Sequence, residues 1–146
     1  MKFETILATT DFSAEGDAAV PVAFRLARDH GARVVLAHVV EGLGIPNPLY
    51  PHYSVTLSPE ESERLHAEVT QHLAERVPAE DRDEVRWETA VATGVPAAEI
   101  ARLAGEHSAS LIVMSSHGRT GLKRLALGSV AERVLRLSSA PILILR

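Results

Sequence analysis

A chain of 146 residues, 46% hydrophobic and 23% charged, is long enough to bury one sizeable core and short for two, so residues 1–146 are expected to form a single domain. A net charge of −4 argues against general nucleic-acid binding, and the absence of cysteine excludes disulfides, thiol catalysis and cysteine-ligated zinc or iron–sulfur sites. No apolar run reaches the roughly 18 residues of a membrane helix, and MKFETILATTDFS lacks the pattern of an export signal, so a cytoplasmic chain without membrane association is expected.

Thr5 to Thr9 is short, apolar and followed by polar residues, which predicts a buried strand. Ser13 then caps a helix whose apolar face carries Ala19, Val22, Ala23, Leu26 and Ala27 before Gly31 stops it. Pro21 predicts a kink in that helix rather than a later start, because the apolar stripe extends back to Ala18. Arg33 to Val40, RVVLAHVV, reads as a strand covered on both faces, with His38 more often a hydrogen-bonded core residue than a ligand in such a setting. The proline- and glycine-rich residues 41–57 are expected to form a loop of functional length. Ser58, Pro59 and Glu61 predict a capping box opening a helix to about Val77, with Leu65, Val69, Leu73 and Val77 as its stripe and His66 and His72 solvated.

Glu84 to Val91 alternates, which predicts a half-exposed edge strand with its charged and small residues facing away from the core. Pro96 opens a short helix containing Ile100 and Leu103, and Leu111 to Met114 is a second fully apolar strand. After residues 115–129, SSHGRTGLKRLALGS, a last helix is expected to bury Val130, Val134 and Leu137, followed by a strand from Pro141 to Leu145. Alternating strands and helices predict an α/β fold with a parallel doubly wound sheet, whose ligands bind at the carboxyl ends of strands near the topological switch point.

Three segments end at that edge: Thr9 to Asp11, Val39 to Glu41, and Ser115 to Gly118. Gly118, Gly121 and Gly128 between strand and helix suit an anion, because glycine lets backbone amides approach a phosphate and the helix adds its unpaired N–H groups; Arg119, Lys123 and Arg124 favour the same charge. Asp11 either accepts from ribose hydroxyls or caps the first helix, and Ser129 either meets a phosphate or forms a capping box with Glu132. Neither a P-loop, nor a GxGxxG turn after the first strand, nor a GxSxG nucleophile elbow is present.

The chain resembles universal stress proteins from end to end, in ILATTDFS, LAHVVE, GVPAAEI and IVMSSHGRTGLKRLALGSVAERVLRLSSAPILILR. The resemblance implies an open five-stranded, Rossmann-like parallel sheet of order 3-2-1-4-5 with helices on both faces. It also implies an ATP site, with magnesium held through the phosphates. The family's ATP-binding motif is a glycine, two residues, a glycine, nine residues, then glycine and serine or threonine. Here Gly118, Gly128 and Ser129 occupy the later positions and Ser115 stands at the first glycine. A serine there would be strained if the position required a positive φ. By the same resemblance the nucleotide would contact Thr9, Asp11, Val39, Met114, Ser115, His117, Gly118, Arg119, Gly128, Ser129 and Val130. A homodimer through Pro141 to Arg146 is implied too. A dedicated enzyme is not expected, although slow ATP hydrolysis or autophosphorylation fits such a site. The competing reading is a nucleotide-independent stress-response interaction module of the same fold, and an adenylating enzyme would need a larger substrate domain.

Overall fold

Five parallel strands form the sheet: β1 (Thr5–Thr9), β2 (Arg33–Val40), β3 (Arg86–Thr93), β4 (Leu111–Ser115) and β5 (Ile142–Leu145), in the order β3-β2-β1-β4-β5. The computed structural model describes residues 1–41, 56–117 and 127–146. Successive residues of a strand point to opposite faces, and both faces are covered here. Ile6, Ala8, Val34, Leu36 and Val113 pack with Val20, Phe24, Val69 and Leu73, whereas Leu7, Val35, Ala37, Ile112 and Met114 pack with Ile100, Leu103, Ala131 and Val134. The first face therefore carries α1 (Ala14–Asp17), α2 (Ala19–His30) and α3 (Pro59–Glu75), and the second carries α4 (Pro96–Glu106) and α5 (Ser129–Leu137). That two-sided cover is why β1, β2 and β4 read as continuous apolar runs.

The expected kink near Pro21 is a full break at Ala18 between two helices. Pro21 has no N–H to donate to the carbonyl of Asp17, and its ring crowds that carbonyl, so the helix restarts one turn later. Ser13 caps α1, its hydroxyl accepting from the Gly16 amide, and Gly31 ends α2 at φ 67.

The edge strand β3 begins two residues later than its alternation suggests and departs from it in burial. Arg86 and Glu88 are exposed, but Ala90 and Ala92 on the same side are buried beneath α4, so the outward face is solvated over only half its length. In α5 the buried residues are Ala131 and Val134; Leu137, expected on the inner stripe, is 54% exposed. The helix begins one residue earlier than its stripe implied, and Ala131, three residues before Val134, is the residue that turns fully to the sheet, with Val130 partly buried beside it. Its end at Leu137 leaves that side chain beyond the covered turns.

At α3 the capping box is complete: the Ser58 hydroxyl accepts from the Glu61 amide at 3.2 Å, and the Glu61 carboxylate accepts from the Ser58 amide at 2.8 Å. The backbone and hydroxyl bonds from Ser58 hold the Glu61 carboxyl below its ordinary value of 4.5. A folded-state pKa below the unfolded one stabilises the fold above the unfolded pKa, and that contribution is lost as pH falls through the folded value. We expect acid titration below pH 4.5 to loosen the first turn of α3, and Glu61→Gln to remove this component of the acid dependence, as read by amide exchange at residues 60–62.

Among the described residues no helix is long and apolar enough to cross a membrane.

Candidate functional site

The order of the sheet reverses between β1 and its neighbours β2 and β4, and at the carboxyl ends of these strands lies a cavity of about 290 Å³. That is near the lower bound of the roughly 300–1,000 Å³ typical of small-molecule sites. From β1 and the turn after it come Thr9, Thr10 and Asp11; from β2, Ala37, His38, Val39 and, just beyond, Glu41. Met114, Ser115, Ser116 and His117 enter from β4, and Gly128, Ser129, Val130 and Ala131 from the start of α5. Of the residues expected to contact a ligand, these segments bring together Thr9, Asp11, Val39, Met114, Ser115, His117, Gly128, Ser129 and Val130; Gly118 and Arg119, with Gly121, Lys123 and Arg124, lie outside the described residues. The loop expected over residues 41–57 is outside them for residues 42–55.

The α5 end of the cavity differs from expectation in its cap. Gly128 is the N-cap and Ser129 the first helical residue, so the proposed Ser129–Glu132 capping box is not formed and, among the described residues, no side chain caps the helix. The start of α5 therefore lines the cavity with no side-chain acceptor from the described residues, and the positive end of the helix dipole adds to its leading N–H groups. Gly128 has ordinary backbone angles, φ −63 and ψ 151. It is held to glycine by proximity: its amide donates to the Ser116 carbonyl at 2.8 Å, and a Cβ would lie 2.3 Å from that oxygen.

Ser115 is the last residue of β4, paired with Leu145 in regular register, and the only non-glycine residues at positive φ among those described are Phe12 and Ser108. The strain expected at Ser115 is thus absent, and its hydroxyl accepts from the His117 amide at 3.3 Å. His117 Nδ1 lies 2.7 Å from the Ser116 hydroxyl, while its Nε2 is buried without a hydrogen-bond partner. A buried ring nitrogen left this way costs free energy until an acceptor or donor reaches it.

Asp11 is not the helix cap, a role Ser13 takes. Its Oδ1 accepts from the Ser13 amide at 3.0 Å and from the Ser13 hydroxyl, which folds the carboxylate back over the start of α1. Gly16 permits this: a Cβ there would sit 2.2 Å from Asp11 Oδ1. Its glycine within a helical segment is a sequence signal of close approach that was open to reading. Pro96 and Ile100, which close the cavity from α4, follow from the same strand-edge rule once β3 is placed next to β2. His38, expected to be a satisfied core residue, does bond within the fold, its Nδ1–H donating to the Thr10 carbonyl at 2.8 Å, and it lines the cavity as well.

The chemistry assembled here is an anion-facing helix start at one end, a carboxylate and small backbone-rich turns at the other, and apolar walls from Val39, Ile100 and Met114 between. An adenine nucleotide has the same sequence of parts: phosphates, a diol-bearing sugar and a flat apolar base. A second hollow of about 400 Å³, at the amino ends of β4 and β5, is lined by alanines and serines and gathers no charged side chain.

The universal stress protein family model matches residues 2–146. The chain is 31% identical to the universal stress protein YxiE of Bacillus subtilis over 99% of both chains. To the universal stress protein MJ0531 of Methanocaldococcus jannaschii it is 47% identical over 62 residues, which are 42% of this chain and 36% of that protein. Among solved structures it superposes on MJ0577 with a TM-score of 0.75 at 24% identity, covering 99% of this chain and 96% of that one. A universal stress protein in complex with cAMP gives 0.68 at 23% identity, covering 100% and 98%, and one from Archaeoglobus fulgidus in complex with dAMP gives 0.61 at 18% identity, covering both chains fully at 100%.

Proposed function

The chain belongs to the universal stress protein family, and on that premise we propose that its strand-end cavity binds an adenine nucleotide, ATP with magnesium held through the phosphates. One observation carries this reading: the start of α5, with glycine as its N-cap, lines the same cavity as the Asp11 carboxylate. Helix amides suit phosphate oxygens, and a carboxylate suits ribose hydroxyls. The backbone of Val39 lies where the base would sit, between strand ends that offer both N–H and C=O groups. Ser115, His117 and Ser129 line the phosphate path, with Gly118 and Arg119 as further contacts from the sequence between β4 and α5. Two structural neighbours hold cAMP and dAMP, and these support the adenine class.

The role is regulatory: nucleotide occupancy changes the stability or surface of a cytoplasmic stress-response protein, with hydrolysis or phosphotransfer at most slow. A homodimer through β5 completes the reading. The nucleotide-independent module remains its competitor on one specific ground, because the Ser116 carbonyl alone suffices to require glycine at position 128.

Calorimetry on nucleotide-free protein separates the two. Binding of ATP with magnesium is expected, and Asp11→Asn should weaken it about tenfold, the loss of one hydrogen bond to a charged group. Absence of heat at millimolar ATP, with the protein folded, would favour the module.

A further inference from the structure

Phe12 stands immediately after Asp11 in a conformation that side chains rarely adopt, φ 66. Such a residue persists only where its surroundings hold it, and here the contacts come from two distant elements. Its ring stacks on His38 of β2, with centroids 4.3 Å apart and planes inclined by 28°. The guanidinium of Arg76, at the end of α3, lies 4.5 Å from the same ring centroid, and His72 of α3 meets it edge-on at 6.0 Å. Cation–π and stacking contacts of this kind favour a fixed ring position.

A second set of contacts ties the same turn together. The Phe12 amide donates to the Thr10 hydroxyl at 2.9 Å, that hydroxyl donates to Asp17 at 2.6 Å, and Arg76 Nε donates to the same Asp17 oxygen at 3.2 Å. His38, beneath the ring, donates to the Thr10 carbonyl. His38 directly, and Arg76 through Asp17, therefore hold Thr10 as well as Phe12, the residues on either side of Asp11. Thr10, Asp11, Gly16 and His38 line the cavity, and Phe12 does not.

We propose that Phe12 is a positioning residue for the cavity's carboxylate: locked between His38 and Arg76, it reverses the chain after Asp11 and so holds that carboxylate against Ser13 and toward the sugar of a bound nucleotide. The role rests on the nucleotide reading for its consequence and on the turn geometry for its existence. It makes the end of α3 part of the machinery that selects a ribose diol, although Arg76 never reaches the cavity.

The test uses the full chain and three forms of it: wild type, Phe12→Gly, which accepts the positive φ but removes the ring, and Arg76→Met, which keeps a long apolar stem without the cation. Each is titrated with ATP and with 2′,3′-dideoxy-ATP in the presence of magnesium. Both variants should lose about tenfold in ATP affinity while dideoxy-ATP affinity moves by less than about twofold, because only the diol contact depends on the carboxylate. A merely structural role would weaken both nucleotides together, and that result overturns the proposal, as does unchanged discrimination in both variants. Hydrogen exchange at the Ser13 amide, which donates to Asp11 Oδ1, reads the clamp without ligand. Faster exchange in both variants is expected, and wild-type protection in both overturns the clamp. A wild-type chain that binds neither nucleotide overturns the nucleotide reading, whereas the exchange rates alone then decide whether Phe12 holds the carboxylate.

Discussion

Gly128→Val should destabilise the protein by about 3 kcal/mol, a fall in Tm of roughly 6–12 °C for a chain of this size, and should abolish nucleotide binding. The cause is the backbone, not a flexible neighbour. The new Cβ would lie 2.3 Å from the Ser116 carbonyl oxygen and 3.4 Å from its carbon, so β4 and α5 must separate. Separation breaks the Gly128 amide bond to the same oxygen and strains the next link, where the Ser116 amide donates to the Leu145 carbonyl at 2.7 Å. The disturbance thus reaches both the cavity and β5. Ser129→Ala provides the contrast, because Ser129 is the first residue of α5 and not its cap. It should leave stability within about 0.5 kcal/mol while weakening ATP binding. Thermal unfolding and calorimetry on the two variants check the pair; a wild-type Tm for Gly128→Val would show that the contact between Gly128 and Ser116 yields without cost.

Much of this arrangement was legible in the sequence, and what was not has identifiable physical reasons. Strands β1, β2 and β4 are readable because burial on both faces demands unbroken apolar runs, and α3 because Ser58 and Glu61 bond each other's amides at the helix start while Pro59 removes an N–H that would lack a partner there. The start of α5 was misplaced by one residue because Ser129 and Glu132 carry the right types for a capping box, and local chemistry cannot register that Gly128 is pinned to Ser116 by a tertiary contact. The outer side of β3 looked solvated because alanines are ambiguous; only the position of α4 decides that Ala90 and Ala92 are buried. Ser115 is the reverse case, where a feared strain is absent since the residue completes a regular strand. The positive φ of Phe12 had no local signal, as an aromatic residue there is held by β2 and α3, far away in sequence.

A chain ending at Pro141 should fail to fold, and Leu143→Lys should fold but remain monomeric. Strand β5 is a sheet edge whose inner side pairs with β4 from Ile112 to Ser115 and whose outer side has no partner strand among the described residues. Ile142 and Ile144 pack against the α4–α5 core and Leu145 against the other core, so each half-buried side chain contributes about 1 kcal/mol. The ladder bonds, among them Ser116 N–H to the Leu145 carbonyl, add about 1 kcal/mol apiece. Together these rival a total stability of about 5–15 kcal/mol, and their loss also bares the apolar edge of β4. Leu143 is different: it is 36% exposed, belongs to neither core, and stands on a strand whose outer backbone edge is unpaired among the described residues, a combination that invites another strand. A lysine there leaves the ladder intact and places a charge where a second copy would pair. Sedimentation velocity on the intact chain, the truncated chain and Leu143→Lys distinguishes the two contributions. A folded truncated chain would show that β4 needs no cover, and an unchanged dimer for Leu143→Lys would place the contact between copies away from β5.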